Sequence, residues 1–311
     1  YLPMFWLSYV VFAIIIAGLL YAKSREMYLV QILLIQNLLI FMIVNIPYYP
    51  YIPQPILEDL AGAAIYISEP TLLLLKAHTF LTMMFLHGGI MHIFGNIIIL
   101  FFIGMALEER VGKRWTAIFY FAAGLIATLG QYFFNYLQYF AGASSSTVLL
   151  IPNIGASGAI FGIMGALVFL YPRDKITMLL GPILMPEVRV DLAVGVFIVM
   201  QTGIAFLSPG VTNIAHAAHF TGFAGGIILA AYAKRSNVLE EKEGPTRDYT
   251  KLKKLIQTEE EKETYKKIID ADERDVKEAW AEHLVEGSAC PECGRPLEDE
   301  ECECGFNVWE N

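Results

Sequence analysis

Asn153-Ile154-Gly155-Ala156-Ser157-Gly158-Ala159-Ile160-Phe161-Gly162 places a lone hydroxyl at the head of an apolar run that continues to Tyr171. Pro152 disfavours helical geometry at Ile151, so the spacing predicts a helix that starts at or just before Ser157. A helix N-terminus brings unpaired backbone N–H groups and a partial positive charge. These suit an oxyanion forming on or beside Ser157. They also suit a serine that merely caps a buried helix, which is the commoner use of such a residue.

Working outward, the rest of the chain sets that run in a membrane. Of the 311 residues 56% are hydrophobic and 17% charged, with several long uncharged stretches, the composition of a polytopic membrane protein. Residues 1–235 carry 11 basic and 9 acidic side chains, whereas 236–311 carry 11 and 22, so the net charge of −9 resides in the tail. A membrane domain followed by an acidic soluble tail is the reading. The chain opens on Tyr1, and a start lying upstream is expected. All four cysteines fall within 290–304, so disulfides are not expected to hold the fold and the cysteines read as metal ligands.

Seven apolar runs approach the roughly 17–25 residues that a spanning helix needs: Phe5–Tyr21, Tyr28–Ile46, Ile90–Leu107, Trp115–Leu137, Ser157–Tyr171, Asp191–Leu207 and Ile214–Ala233. Lys and Arg concentrate in alternate connections, at 23–25, 110–114, 173–189 and 234–235, and the opposite connections hold only Lys76. That bias predicts an N-terminus outside and a tail in the cytosol, in a multi-pass protein of the cell membrane. The outer connections are then Pro47–Gly89, Gln138–Gly155 and Ser208–Asn213. The first contains an amphipathic Thr71–Leu86 suited to the membrane interface, as a lid or as a path for substrate.

Polar groups inside spans are costly and usually face an internal cavity. The third span carries His92 and Asn96 four apart on one face, and the seventh carries His216 and His219 three apart. With a rise of about 1.5 Å per residue, His219 lies roughly 8 Å inside the start of its helix, at a level comparable with His92, Asn96 and Ser157. Gly158, Gly162 and Gly165 line one face of the fifth span, and Gly222 and Gly226 share the face of His219. Small faces let two backbones pack closely, which would bring the imidazole to the serine, although glycines alone prove only helix packing. A serine needs a base within hydrogen-bond reach. No Asp or Glu lies inside a span, so a Ser157–His219 dyad is expected rather than a triad. His92, Asn96 and the Ser157 N–H are the candidate oxyanion donors.

With these residues in view, the chain resembles the rhomboid intramembrane serine proteases over about residues 28–235. The resemblance rests on Thr82-x-x-Phe85-Leu86-His87, His92-x-x-x-Asn96, Glu108-x-Arg110 with Gly112, Gly155-x-Ser157-Gly158, and His219-x-x-Gly222 followed by Gly226. It implies Ser157 as nucleophile, His219 as general base and then acid, and His92 and Asn96 on the oxyanion side. It further implies hydrolysis of peptide bonds in or beside transmembrane segments of single-span or polytopic substrates within the lipid bilayer, with no cofactor for catalysis. Phe5–Tyr21 is then an extra span in front of six. The Trp-Arg pair common in that family's first loop is replaced by His78-Thr79. His87 and His216 read as packing or supporting residues, and Glu108 and Arg110 as a structural ion pair. The rival readings are a catalytically inactive relative that binds membrane clients, which the presence of both Ser157 and His219 disfavours, and a transporter, which would need acidic residues or repeats that the sequence lacks.

Beyond Arg235, Gly244-Pro245 marks a linker. Leu252, Leu255, Ile256, Ile268 and Ile269 predict one amphipathic helix, and Val276, Trp280 and Leu284 a second ending at Gly287. Cys290-Pro-Glu-Cys293-Gly and Cys302-Glu-Cys304-Gly supply four thiolates for a structural zinc ion, free thiols being the alternative. The acidic surroundings argue against nucleic acid and favour a protein partner for the tail. The expected fold is therefore all-α and polytopic, a six-helix rhomboid-like core with one extra helix and a small tail. The divisions are 1–27 for the extra helix and its loop, 28–235 for the core, 236–287 for the acidic linker and helical segment, and 288–311 for a zinc-ribbon-like module.

Overall fold

The first helix, α1 (Trp6–Ser24), has no acidic residue in its opening turn. It is capped from a distance, by the Asp59 carboxylate, which accepts from the Phe5 N–H at 2.8 Å and the Ser8 hydroxyl at 2.7 Å. The same device begins α2 (Leu29–Val44), whose Leu29 and Val30 N–H groups reach the buried Glu108 carboxylate at 2.6 and 2.8 Å. Both carboxylates supply what a helix N-terminus in an apolar setting lacks. The buried Gln36 amide joins the two helices by donating to the Ile14 and Ile15 carbonyls at 2.8 and 2.9 Å.

These contacts belong to a computed structural model of the chain, which describes residues 4–24, 27–180, 183–207, 216–236, 238, 247–271, 274–297 and 300–309. The chain forms two compact units, Tyr1–Glu241 and Lys242–Asn311. In the first, α3 (Gln54–Leu60), α4 (Pro70–Lys76) and α5 (Thr79–Thr82) fill the connection after α2. Thr71–Leu86 is thus not one amphipathic stretch. It breaks because its polar side chains are held elsewhere: His78 Nε2 lies 2.7 Å from the Asp59 carbonyl and the Thr82 hydroxyl donates to the Leu60 carbonyl at 2.7 Å.

Next come α6 (Ile90–Ile99), a π-helical turn (Leu100–Gly104) and α7 (Met105–Phe140). Gly112, at φ 74° and ψ 169°, divides the last into the ends of the third and fourth predicted spans. The short α8 (Ser157–Leu170) follows, then a two-stranded antiparallel hairpin, β1 (Lys175–Leu180) with β2 (Ile183–Arg189), then α9 (Val190–Leu207) and α10 (His216–Arg235). The hairpin corrects the purely helical expectation for this connection. The ion pair expected between Glu108 and Arg110 is also corrected: Glu108 caps α2, and Arg110 pairs with Asp174 at 2.8 Å. Trp6–Ser24, Leu29–Tyr48 and Ile90–Phe140 are long and apolar enough to cross a bilayer, and Ser157–Leu170 and Val190–Met200 are shorter apolar helices. This is a multi-pass integral membrane architecture. The predicted loop Ser208–Asn213, the first two residues of the predicted seventh span and the Gly244-Pro245 linker lie outside the described residues.

The second unit opens with a 3₁₀ segment (Tyr249–Leu255), followed by α11 (Glu259–Asp270) and α12 (Arg274–Gly287). The predicted single helix is interrupted because Thr258 and Glu261 form a capping box that restarts it. Leu252, Leu255, Ile268, Leu284 and Val285 share one core with Leu297, Phe306 and Val308 of the cysteine segment. Arg247 over Trp309 at 4.9 Å, Lys254 over Phe306 at 4.6 Å and Lys267 over Trp280 at 4.2 Å lay cations across its aromatic rings.

Candidate active site

Helices α8 and α10 meet through their glycines. A Cβ added at Gly226 would collide with the Gly162 carbonyl oxygen, one at Gly222 with the Gly158 carbonyl, and one at Gly165 with the Phe223 carbonyl. Backbone therefore lies directly on backbone, the closest approach two helices can make. It brings His219 Nε2 to 2.9 Å from Ser157 Oγ. Ser157 begins α8, so its N–H is among those a helix leaves unpaired, and His219 is only 7% exposed. Phe161, one turn below the serine, stacks on the His219 ring at 4.2 Å with planes 10° apart. The other ring nitrogen, Nδ1, has no hydrogen-bond partner among the described residues, and no carboxylate orients it.

The loop before Ser157 is held from both sides. Gly62 and Asn153 exchange both bonds of an antiparallel bridge, at 3.0 and 2.7 Å, and the Gly155 N–H donates to the Met83 carbonyl at 2.9 Å. Gly155 has φ 118°, and a Cβ there would press on the His92 ring at Nε2. Only glycine lets the chain take that conformation with an imidazole against it. His92 thus sits against the loop two residues before the serine. The Gly88 N–H donates to its Nδ1 at 3.3 Å, which leaves the proton on Nε2, the nitrogen nearer the loop. Asn96 is buried one turn further along α6, where its amide donates to the His92 carbonyl at 2.9 Å. That contact ties Asn96 to His92 and leaves one amide N–H unused by it.

His87, buried, meets His92 edge-on at 5.0 Å, and His216 meets His219 edge-on at 6.3 Å. Three contacts around the site have no signal in the sequence pattern. Besides Phe161, Gln131 of α7 accepts from the Ala218 N–H in the opening turn of α10 at 3.2 Å and donates to Asn135 at 2.8 Å. Asn135 donates in turn to the Val148 carbonyl at 3.2 Å. The N-terminus of α10, like those of α1 and α2, takes a partner from another helix. Gln131 and Asn135 stand four apart in an apolar span, the one clue that pattern reading could have used.

In the second unit the sulfurs of Cys290, Cys293, Cys302 and Cys304 all lie within 4.8 Å of one another, with Cys290 to Cys304 at 3.6 Å and Cys293 to Cys302 at 3.5 Å. Tetrahedral zinc with Zn–S bonds of about 2.3 Å requires sulfurs roughly 3.8 Å apart, so the donor set fits that ion. Each pair sits on a similar turn. The Gly294 N–H donates to the Cys290 carbonyl and the Gly305 N–H to the Cys302 carbonyl, both at 2.8 Å, with φ of 72° and 92° at the two glycines. The Arg295 N–H and then its guanidinium hold the Cys293 thiol down at about 6, toward the thiolate that a metal binds.

The description of the rhomboid domain matches residues 75–236. Among curated proteins the chain is 29% identical over 151 residues to the rhomboid protease GluP of Bacillus subtilis (strain 168), covering 49% of this chain and 25% of that protein. It is 31% identical over 154 residues to RHOMBOID-like protein 4 of Arabidopsis thaliana, covering 46% and 32%. It is 32% identical over 87 residues to inactive RHOMBOID-like protein 8 of the same plant, covering 28% and 21%. The matched stretch thus spans a third or less of each of these relatives.

Proposed function

The chain belongs to the rhomboid family, and on that premise we propose that it is a serine endopeptidase that hydrolyses peptide bonds in or near transmembrane segments of other membrane proteins. The observation that carries the reading is the 2.9 Å contact between His219 Nε2 and Ser157 Oγ in a buried, glycine-packed setting. Ser157 Oγ attacks the scissile carbonyl as His219 Nε2 takes its proton, giving a tetrahedral intermediate and an imidazolium. The oxyanion is met by the Ser157 N–H at the head of α8, by the His92 Nε2–H and by the Asn96 amide. Collapse breaks the C–N bond, and His219 returns the proton to the leaving amine. A water molecule, deprotonated by His219, then attacks the acyl-enzyme, releasing the carboxylic acid and restoring the serine. Phe161 holds the imidazole plane in the place where a triad would use an acid.

The remaining assignments belong to the same reading. The N-terminus faces outward and the tail lies in the cytosol, from the distribution of Lys and Arg. Residues 1–27 form the extra helix and its loop, 28–235 the protease core, 236–287 an acidic linker and helical segment, and 288–311 a ribbon in which Cys290, Cys293, Cys302 and Cys304 hold structural zinc. No cofactor takes part in the cleavage, and the tail's partner is a protein. The similarity to an inactive relative sets the alternative, a protein that binds membrane clients without cutting them; the paired Ser157 and His219 favour catalysis. The test is to reconstitute the full chain with a single-span substrate. Wild type is expected to cleave it and Ser157→Ala and His219→Ala to be silent. Equal products from all three would overturn the reading.

A further inference from the structure

Helix α1 lies outside the matched rhomboid stretch, yet its contacts run toward the serine. Asp59 Oδ2 takes both the Phe5 N–H and the hydroxyl of the fully buried Ser8. The Asp59 main chain is held as well, because its carbonyl meets His78 Nε2, and Phe12 of α1 lies against that imidazole at 5.4 Å. The next carbonyl, Leu60, takes the Thr82 hydroxyl. Three residues after Asp59, Gly62 makes the bridge to Asn153, and immediately after Thr82 the Met83 carbonyl takes the Gly155 N–H. The two short segments that α1 fixes are therefore the ones that hold the loop leading into Ser157.

We propose that Asp59 is a positioning residue for the nucleophile: by capping α1 it fixes the connection between α2 and α6, whose Gly62 and Met83 fix Asn153 and Gly155 and so the place of Ser157 Oγ. The extra helix acts on the catalytic step without touching substrate. This rests on the assignment of Ser157 as nucleophile. The chain of contacts is short, with no link longer than one hydrogen bond and no more than three residues between links. Misplacing a reacting group by a fraction of an ångström lowers its rate while substrate binding elsewhere is untouched. The cap is chemically specific too, since an asparagine oxygen accepts the same two hydrogen bonds and an alanine accepts none.

The experiment uses the full chain in liposomes, a single-span substrate and a fluorophosphonate that reacts with activated serines. Asp59→Ala is expected to lower kcat roughly tenfold with KM little changed. The rate of Ser157 phosphonylation should fall by the same factor, and Asp59→Asn should restore most of both. An Asp59→Ala chain that remains folded and keeps wild-type kcat and labelling overturns the proposal, as does equal loss in Asp59→Asn. If Asp59→Ala does not fold, Ser8→Ala carries the test: a several-fold drop in labelling supports the proposal and the wild-type rate overturns it. Failure of the nucleophile assignment is seen separately, as labelling of wild type that survives in Ser157→Ala.

Discussion

The two units of this chain solve opposite problems with their polar groups. In Tyr1–Glu241 polar side chains are scarce, and those that are buried are committed: Glu108 to the start of α2, Gln36 to the carbonyls of α1, Gln131 to the start of α10, His219 to Ser157. In Lys242–Asn311 polar groups are abundant and most are solvated, and the informative residues are the cysteines and the aromatic rings that cations cover. An apolar solvent makes each polar residue a statement about structure or chemistry, whereas water makes most of them silent. The membrane unit is held by backbone contact and buried hydrogen bonds. The tail has a core of about ten buried residues, small enough to depend on the metal that its four sulfurs fit.

That contrast can be broken most severely in the tail. Structural zinc in small modules contributes on the order of 10 kcal/mol, so Cys293→Ser in the full chain should release the metal and make residues 242–311 sensitive to added protease. The membrane unit should continue to cleave substrate. Metal analysis and limited proteolysis check it, and a Cys293→Ser chain that binds zinc as tightly as wild type contradicts it.

Within the membrane unit the effects shrink with distance from the reacting atoms. His92→Ala removes an oxyanion donor and should cost about 10²–10³ in kcat with little change in KM, measured by steady-state cleavage in liposomes. Gly226→Val is expected to cost about 1–3 kcal/mol of stability through overpacking, because its side chain meets the Gly162 carbonyl. A lowered thermal midpoint with a weakened rate is the expected reading. Unchanged values would mean that the two helices are not as close as the contact requires.

The sequence made the outline of this site legible because the apolar solvent leaves so few candidates. Ser157, His219, His92 and Asn96 stood out against an uncharged background, and the glycines at 158, 162, 222 and 226 gave a reason for two helices to meet. What escaped is what only tertiary structure creates. Phe161 looks like any apolar residue of its span until His219 lies flat upon it. Asp59 reads as a loop acid, because nothing local reveals that its partners are 51 and 54 residues away. Glu108 and Arg110 sit two apart and invited pairing, but side chains at that spacing on a helix do not face each other, and each found a partner beyond its own helix. The hairpin β1–β2 was hidden in a short connection whose Pro and Gly residues read as a loop.

The central claim is that Ser157 and His219 act as one catalytic unit, and the most direct measurement is a mutant cycle in liposomes with one single-span substrate. Residues that act together lose nearly everything when either is removed. Ser157→Ala, His219→Ala and the double variant should therefore share one background rate, down by up to about 10⁶-fold. A double variant slower than both single variants by the product of their separate losses would mean that the two residues act independently, and cleavage by Ser157→Ala at the wild-type rate would remove the serine from the chemistry altogether.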